Sequence, residues 1–301
     1  MERILFLGAT CVDVIINIDH LPTTGEDLAV HQSSWQVGGC AYNASQAACQ
    51  LGLPYLLYSP IGTGPYGKLV YDTFQQQQLP TPILRDQKNG CCYCLVEKNG
   101  ERTFMSEHGT EYRYTVEDLD ALKKEHFAAI YVSGLEIEEN SGDLLIDYLS
   151  QTGDTPLFFA PGPRISHIPR DRLERLYALS PILHLNESEA CWAAQTTDLS
   201  IAMLLLYQKT GRPVVVTLGK NGACFYDGKT HWAKTAPVDH PVDTIGAGDG
   251  HIGMLMGQLY LKQPWPKAIA RANQYARAIV QTHGSILSTT QYQHIQWEEE
   301  K

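Results

Sequence analysis

Strand-like and helix-like segments alternate regularly from residue 115 onward in this 301-residue chain. Short apolar runs predict strands at 128–133, 157–160, 182–185 and 213–218. Segments of helical character predict helices at 116–125, 141–150, 170–178, 187–195, 200–210, 249–261 and 266–282. Strands that alternate with helices indicate βαβ units, in which helices cover both faces of a parallel sheet. The pattern therefore predicts an α/β fold of three layers with a central, mainly parallel sheet.

The N-terminal part of the chain departs from this alternation. Residues 4–8 and 55–61 are predicted as strands, and 38–50 and 68–77 as helices. The Asn-Gly pair at 99–100 supplies the positive φ angles of a hairpin turn. We expect the extended segments 14–36 and 89–110 to form a small, separate antiparallel sheet. The remaining segments, 1–13, 37–88 and 111–301, are expected to form the α/β core.

The charge balance and the apolar runs exclude two classes of partner. Lys and Arg number 23 against 33 Asp and Glu, a formal net charge of −10, and the chain has no basic run, so we expect no nucleic-acid partner. The longest apolar runs, such as 4–9 and 213–218, are strand-sized and far short of the ~20 residues of a spanning helix, so we expect no membrane partner. Acidic residues at 13 and 19 interrupt any signal-peptide core, which favours a cytoplasmic location.

The eight cysteines are scattered, and only Cys91, Cys92 and Cys94 lie close together. Their spacing is not the two-residue gap of a zinc knuckle. Because alternate residues of a strand face opposite sides, we interpret these cysteines as small packing residues. We expect neither a disulfide framework nor a cysteine metal site.

Residues 243–250 form the motif with the clearest chemistry, directly before an apolar helical run. Three small residues, Gly246, Ala247 and Gly248, let the backbone approach a ligand, and amides in the first turn of a helix favour anions. The carboxylate of Asp249 would lie beside that anion. An amide cradle next to a carboxylate is typical of phosphoryl transfer. A turn with a good helix cap is the alternative, and composition does not decide between the two.

Four motifs together resemble the PfkB-type family of sugar and nucleoside kinases, the ribokinase-like kinases. They are residues 243–249, the Gly38-Gly39 pair with Asn43, Asn186 with Glu189, and residues 217–219 with Gly222. The motifs occur in the family's order and span most of the chain. The resemblance implies a three-layer ribokinase-like fold, a discontinuous β lid made of 14–36 and 89–110, and transfer of the γ-phosphoryl group of ATP to a hydroxyl group.

The resemblance also implies a role for each residue of the catalytic motif. Asp249 would be the general base that accepts the proton of the substrate hydroxyl, and the amides at 246–248 would form the anion hole. Asn186 and Glu189 would organise Mg²⁺ and its waters near the ATP phosphates, since Mg²⁺ prefers oxygen ligands. Capping of the helix at 187–195 is the alternative role of Asn186 and Glu189, and both roles can hold together.

The nucleotide and a monovalent cation have implied sites as well. Thr217, Gly219 and Gly222 would shape the ATP pocket, although 220–222 would also make a simple turn. Asn273 matches a family position near adenine, with a merely solvated Asn as the alternative. A K⁺ loop would use the following residues: Asp243, Ile245, Gly284 and Ser288. Capping of the local turn is the alternative role of Asp243.

On the acceptor side, Asp13 follows the first strand, where ligands of parallel sheets lie. An acid among apolar neighbours is costly unless it is bound to something, which favours a site role. The resemblance implies that Asp13, Gly38, Gly39 and Asn43 bind the substrate hydroxyls, and that the lid closes over the substrate to exclude water. We expect a sugar with a primary hydroxymethyl group, and a nucleoside is the alternative acceptor.

Some residues depart from the family pattern. The family's ribokinase carries a lysine in its Gly-Gly motif where this chain has 40–42, Cys-Ala-Tyr, so ribose is doubtful. His251 replaces an aromatic residue and is interpreted as a packing substitution. Arg164 could bind a sugar acid or cap a helix, with the cap favoured. Aromatic residues in and near the lid could stack on a nucleobase or serve strand packing: Tyr93, Phe104, Tyr112 and Tyr114.

Residues 62–67 have the form G-x-G-x-x-G, which raises a dinucleotide-binding enzyme as a rival function. Pro65 removes one amide from that turn, which argues against it. A non-catalytic sugar or nucleotide sensor is a second rival, although a sensor would be expected to lose Asp249 or the anion hole. An exposed lid edge could also pair two copies into a homodimer. A strict monomer in size-exclusion chromatography at micromolar concentration would contradict that dimer.

Overall fold

The structure, a computed structural model, describes residues 2–81, 83–238 and 241–297 and contains two compact units. The first unit comprises the chain up to Gly8, Cys40–Leu57 and the chain from Tyr114; the second comprises Ala9–Gly39 and Tyr58–Arg113. The strands are β1 (Arg3–Leu7), β2 (Cys11–Ile18), β3 (Gln32–Gly38), β4 (Tyr55–Tyr58), β5 (Pro60–Thr63), β6 (Ile83–Lys88), β7 (Cys91–Glu97), β8 (Arg102–Glu107), β9 (Phe127–Ser133), β10 (Leu157–Ala160), β11 (Ile182–Asn186), β12 (Val214–Thr217), β13 (Ala223–Tyr226) and β14 (Thr230–Ala233). The helices are α1 (Cys40–Gln50), α2 (Gly64–Gln76), α3 (Val116–Leu122), α4 (Gly134–Glu138), α5 (Gly142–Leu149), α6 (Arg170–Tyr177), α7 (Glu187–Ala194), α8 (Leu199–Thr210), α9 (Ala247–Tyr260), α10 (Trp265–Ile279) and α11 (Thr289–Gln293).

An eight-stranded sheet organises the first unit, in the order β14-β13-β12-β11-β10-β9-β1-β4. Strands β1, β9, β10, β11 and β12 pair in parallel with their neighbours in this series. The predicted central, mainly parallel sheet is therefore confirmed. The hairpin β13–β14 adds two antiparallel strands at the edge. The sequence pattern does not predict these two strands.

Helices cover both faces of this sheet, as the alternation along β13 shows. Cys224 lies 3.6 Å from the sulfur of Met203 on α8, on one face. Its neighbour Phe225 points to the other face, where it belongs to a buried cluster that contains Met254 of α9 and Tyr275 of α10. Since successive side chains of a strand face opposite sides, α8 lies on one face and α9 and α10 on the other.

The second unit holds two small sheets and helix α2. Its four-stranded sheet, β3-β2-β7-β8, includes the segments 14–36 and 89–110, for which the sequence predicted a separate sheet. The prediction of antiparallel pairing is right for β2–β3 and β7–β8 but wrong for β2–β7, which is parallel. A parallel pair needs a long crossover, and the chain between Ile18 and Cys91 supplies it.

The run 55–61, predicted as one strand, is divided between two sheets. β4 belongs to the eight-stranded sheet, and β5 pairs in parallel with β6 in a two-stranded sheet. The division falls at Ser59, whose hydroxyl accepts a hydrogen bond from the backbone N–H of Thr10 at 2.8 Å. Pro60 follows it and has no N–H to donate to the first ladder.

Across residues 2–81, 83–238 and 241–297, no helix combines the length and the apolar character that crossing a bilayer requires.

Candidate active site

Helices α1 and α9 touch at a glycine, and this contact brings the first pair of site residues together. A Cβ atom on Gly253 would lie 2.1 Å from the carbonyl oxygen of Ala44, so only glycine allows this approach. One turn nearer the start of α9, Asn43 Nδ2 donates a hydrogen bond to Asp249 Oδ2 at 3.0 Å. Ser285 Oγ donates to Asn43 Oδ1 at 2.9 Å and thereby fixes the orientation of the amide.

Asp249 lies in the first turn of α9, which begins after a left-handed glycine. Gly246 has φ +73°, and a Cβ there would approach Ser285 to 2.5 Å. Beyond its chain neighbours and the backbone of its own helix, no heavy atom of the described residues lies within 4 Å of the position that a Cβ on Gly248 would take. The first N–H groups of a helix have no partner within the helix. The N–H of Ala247 donates to the carbonyl oxygen of Thr244 at 3.4 Å. Gly248, the next residue of the turn, lies beside open space and next to the carboxylate-bearing Asp249.

Burial controls the proton affinity of Asp249. Removal from water raises the pKa of its carboxyl to about 6, and hydrogen bonds from Asn43 and Cys40 partly offset that rise. A carboxylate with this pKa is mostly ionised at neutral pH and is a stronger base than an ordinary aspartate. Cys40 and Ser285 were not predicted as site residues. Cys40 could have been found, since it lies three residues before Asn43 on the same helical face.

Asn186 and Glu189 form a capping box at the start of α7. Asn186 Oδ1 accepts from the N–H of Glu189 at 2.8 Å, and Glu189 Oε2 accepts from the N–H of Asn186 at 3.0 Å. The capping alternative is thus realised. Burial, together with the negative charge of Asp249, raises the pKa of Glu189, while the backbone hydrogen bond lowers it. The two carboxylates are therefore close enough to interact electrostatically.

A cavity of about 300 Å³ opens beside the start of α9. The predicted residues that line it are Thr217, Gly219, Gly222, Ala247, Gly248 and Asn273. Residues 219–221 form a short turn that joins the antiparallel strands β12 and β13. A Cβ on Gly222 would lie 2.3 Å from the carbonyl oxygen of Ala233, so this glycine serves close packing of the hairpin. Two glycine-rich motifs thus line the same cavity, although Gly219 and Gly248 are 29 residues apart in the sequence.

Asp243 is buried and binds two backbone N–H groups. Its Oδ1 accepts from Ile245 at 2.8 Å and its Oδ2 from Gly284 at 3.3 Å. The turn-capping alternative is therefore realised for Asp243, and three of the four residues predicted for K⁺ share one network. The fourth, Ser288, caps α11 through a capping box with Gln291.

Asp13, Gly38 and Gly39 belong to the second unit. Asp13 on β2 is 8% exposed, and a Cβ on Gly38 would lie 2.2 Å from its Oδ2. Gly39 has φ +103°, and a Cβ there would lie 2.6 Å from the carbonyl oxygen of Ala9. Both glycines are required by close contacts, and Gly38 makes room for the carboxylate of Asp13. Asn43 lies in the first unit, as described above.

Other residues singled out by the sequence have structural partners. Arg164 Nε donates to Glu138 Oε2 at 2.6 Å, which supports a structural role. Tyr112 and Tyr114 are buried, whereas Phe104 is 54% exposed on β8. All eight cysteines are free, and no cluster of three or more His, Cys, Asp or Glu suited to a metal exists within residues 2–81, 83–238 and 241–297.

The G-x-G-x-x-G segment also has a packing explanation. A Cβ on Gly67 would lie 2.0 Å from the carbonyl oxygen of Gly62, and a Cβ on Gly62 would lie 2.4 Å from that of Gln87. The segment follows β5 of the two-stranded sheet, not a strand of the parallel sheet where a dinucleotide motif is expected. Its glycines thus serve local packing in the second unit.

Comparison with known proteins gives one consistent family. The family model described as pfkB family carbohydrate kinase matches residues 1–291. The chain is 33% identical to a protein of Escherichia coli K12 named "Uncharacterized sugar kinase YegV", over 96% of this chain and 92% of that one. A ribokinase structure from Thermotoga maritima matches with TM-score 0.83 at 18% identity, over 98% and 99% of the two chains. A Burkholderia thailandensis nucleoside kinase in complex with inosine matches with TM-score 0.75 at 17% identity, over 94% and 91%.

Proposed function

Because the chain belongs to the pfkB family of carbohydrate kinases, we propose that Asp249 is its general base and that the first turn of α9 binds the transferred phosphoryl group. The protein is a phosphotransferase with an alcohol group as acceptor, a sugar or nucleoside kinase of ribokinase-like fold. In the proposed reaction, the acceptor hydroxyl gives its proton to Asp249 as its oxygen bonds to the γ-phosphorus of ATP. The bond between that phosphorus and the oxygen that bridges it to the β-phosphate breaks, and ADP leaves. The amides at 246–248 stabilise the charge on the phosphoryl oxygens.

One observation carries this proposal. The carboxylate of Asp249, with a pKa raised to about 6, lies one residue from Gly248, whose Cβ position is open space. An acceptor for a proton and a cradle for an anion are thus adjacent, and the cavity that begins at Ala247 and Gly248 is available to a nucleotide. Phosphoryl transfer depends mainly on positioning and on charge stabilisation, and this arrangement offers both.

We propose that ATP occupies the cavity lined by Thr217, Gly219, Gly222 and Asn273, with Mg²⁺ near Glu189. The residues fit a magnesium ion, because the buried carboxylate of Glu189 has a pKa raised by burial and by the charge of Asp249, and a cation would relieve both effects. Mg²⁺ commonly binds through one or two carboxylates, waters and substrate phosphates, so it needs no full cage of protein ligands. When bound, it neutralises charge on the phosphates.

We propose three further assignments: a K⁺ site, a dimer edge and a cellular location. A K⁺ ion would be held around Asp243, Ile245 and Gly284, with Ser288 contributing from the N-cap of α11. Dimerisation would use β3 or β8, which are the edges of the four-stranded sheet and carry mostly exposed residues. We propose a cytoplasmic location, for which the acidic residues at 13 and 19 are the support.

We propose a sugar as the acceptor, bound through hydroxyl groups by Asp13, Gly38, Gly39 and Asn43. Asp13 and Phe104 lie on the same face of the four-stranded sheet, because Asp13 is paired with Cys92, Ile15 with Cys94, and Cys94 with Phe104. The carboxylate of Asp13 could accept hydrogen bonds from the hydroxyl groups of a sugar, and the exposed ring of Phe104 could pack against the sugar ring. The same exposed ring could stack on a nucleobase, so a nucleoside is the second candidate acceptor.

ADP release from MgATP tests the function directly. The panel contains pentoses, hexoses, sugar acids, sugar phosphates and nucleosides, each at millimolar concentration. We expect turnover with one class of sugar. Turnover with nucleosides alone would establish the second candidate instead. A protein that binds MgATP but turns over none of these compounds would contradict the proposed acceptor class.

The acid limb of the pH profile of kcat/KM should reflect the ionisation of the Asp249 carboxyl. Because the base must be ionised, kcat/KM for the acceptor should fall about tenfold per pH unit below about pH 6 and be level above it. In Asn43→Ala, loss of the hydrogen bond that lowers the pKa of Asp249 should move the limb to higher pH. Ser285→Ala is the matched control, because it removes a bond to Asn43 but leaves the bond to Asp249. A limb that stays in place in Asn43→Ala would contradict the assignment of the base.

Gly38→Ala should weaken acceptor binding selectively. The new methyl group would lie about 2.2 Å from Asp13 Oδ2, so the carboxylate must move away. We expect KM for the acceptor to rise by about tenfold or more, as the loss of a charged hydrogen bond implies, while KM for ATP changes less than twofold. Equal changes in both constants would mean that Gly38 acts only through the fold.

A further inference from the structure

A directional chain of hydrogen bonds crosses the core behind the cavity. His184 Nε2 lies 2.8 Å from His251 Nδ1, and His251 Nε2 lies 3.2 Å from Asn273 Oδ1. Asn273 Nδ2 donates to the backbone carbonyl oxygen of Ala233 at 2.8 Å. The three side chains come from β11, α9 and α10, and each is at most 5% exposed. His251 and Asn273 also line the cavity.

The carbonyl group at the end of this chain determines the direction of every bond in it. A carbonyl oxygen only accepts, so the amide nitrogen of Asn273 must face Ala233, and its oxygen must face His251. His251 Nε2 must therefore carry a proton, and in a neutral ring Nδ1 is then an acceptor. His184 Nε2 must carry the proton that His251 Nδ1 accepts. Both rings are thus assigned the Nε2–H tautomer.

The surroundings keep both rings neutral. Burial lowers the pKa of His251 to about 4, although the hydrogen bond with Asn273 partly opposes this. Burial, followed by the charge that His251 would carry, lowers the pKa of His184, although a hydrogen bond with the backbone of His184 itself opposes this. A proton added to His251 Nδ1 would meet the proton on His184 Nε2. At neutral pH the hydrogen bonds from His184 to Asn273 therefore keep one direction.

This series of hydrogen bonds ends at β14, and the residues that follow β14 form part of the cavity wall. Ala233 is the last residue of β14, and Thr235 and Ala236, which follow it, line the cavity. The carbonyl group of Ala233 is also the group against which Gly222 packs. The hydrogen bond from Asn273 thus holds a backbone position to which two parts of the cavity wall are attached.

We propose that His184 and His251 are positioning residues for the nucleotide: they orient the Asn273 amide, and through it hold the Ala233 end of β14 against the nucleotide cavity. A packing substitution, as the sequence suggested for His251, would need only an aromatic ring of similar size. The structure supports a polar role for His251, because both of its ring nitrogens have hydrogen-bond partners. One of these partners, Asn273, lines the cavity. The inference rests on the proposed binding of ATP in this cavity.

The pair His251→Phe and His251→Gln separates packing from positioning. Phenylalanine fills the space without either hydrogen bond, whereas the glutamine amide retains one acceptor and one donor. We expect the dissociation constant for MgATP, measured by calorimetry, to rise about tenfold in His251→Phe and about threefold or less in His251→Gln. In kinetics, KM for ATP should change more than kcat. Unchanged binding in His251→Phe, or equal weakening in both variants, would overturn the proposal.

A second measurement needs no variant and no nucleotide. Nitrogen-15 NMR of the histidine rings in the wild-type protein at neutral pH should give the Nε2–H tautomer for His184 and His251. An Nδ1–H tautomer or a charged ring at His251 would overturn the proposed direction of the chain, whether or not the variants fold. If the wild-type protein fails to bind MgATP, the proposed function fails. That result would also remove the role in nucleotide positioning, while the tautomers would still report on the hydrogen-bond chain by itself.

Discussion

Asp249→Asn should lower kcat by about 10²–10⁴-fold while the dissociation constant for MgATP changes less than threefold. The amide is nearly the same size as the carboxylate but cannot accept a proton from the acceptor hydroxyl. Its single oxygen can still accept the hydrogen bond that Asn43 Nδ2 now donates to the part-buried carboxylate. The change therefore removes the base and leaves its surroundings largely in place.

Single-turnover kinetics and calorimetry check this prediction. Asp154→Asn is the matched control, because Asp154 is exposed in the segment between α5 and β10, and it should retain wild-type kcat. A loss of ATP affinity equal to the loss of kcat would mean that Asp249 supports the site structurally. Retention of more than a tenth of wild-type kcat would exclude Asp249 as the general base.

Gly248→Ala should abolish most of the activity without loss of stability. Apart from Gly248, its two chain neighbours and the backbone of its own helix, no heavy atom of the described residues lies within 4 Å of the new methyl group. Alanine is also favoured over glycine in a helix by about 0.5–1 kcal/mol. The methyl group would, however, lie in the space assigned to the transferred phosphoryl group. We expect kcat/KM to fall by about 10²–10³-fold, the cost of losing one anion-hole contact.

Thermal unfolding and steady-state kinetics, measured on the same preparation, decide this prediction. The melting temperature should be equal to that of the wild-type protein or higher. Gly253→Ala is an informative comparison, because its methyl group would lie 2.1 Å from the carbonyl oxygen of Ala44 and should destabilise the protein. Full activity in Gly248→Ala would show that the phosphoryl group lies elsewhere.

The sequence predicted the sheet and the helices of the first unit well, because their periodicity extends over many residues. It missed β13 and β14, and it assigned the wrong pairing to β2 and β7. Pairing between strands separated by 70 or more residues depends on the path of the intervening chain, which local pattern does not describe. The split between β4 and β5 was missed for a similar reason, although Pro60 was a signal in the sequence.

For the candidate site, motif order selected candidate residues but did not define their contacts. The sequence predicted Asn43 as a substrate-binding residue, while the structure adds its hydrogen bond to Asp249, 206 residues away. For Asn186 and Glu189, both a cap and a metal role were open, and the structure supplies the cap geometry. Nothing local to His251 indicated that His184 would lie against it.

By itself, the sequence determined the fold class and the family and suggested candidate site residues, since periodicity and short motifs are properties of neighbouring residues. Only the tertiary structure decided which distant groups share a hydrogen bond and how far from water they lie. The raised pKa of Asp249 and the tautomers of His184 and His251 are of this second kind. Burial and hydrogen bonding depend on close packing between helices and strands that are far apart in sequence, such as the contact of Gly253 with Ala44.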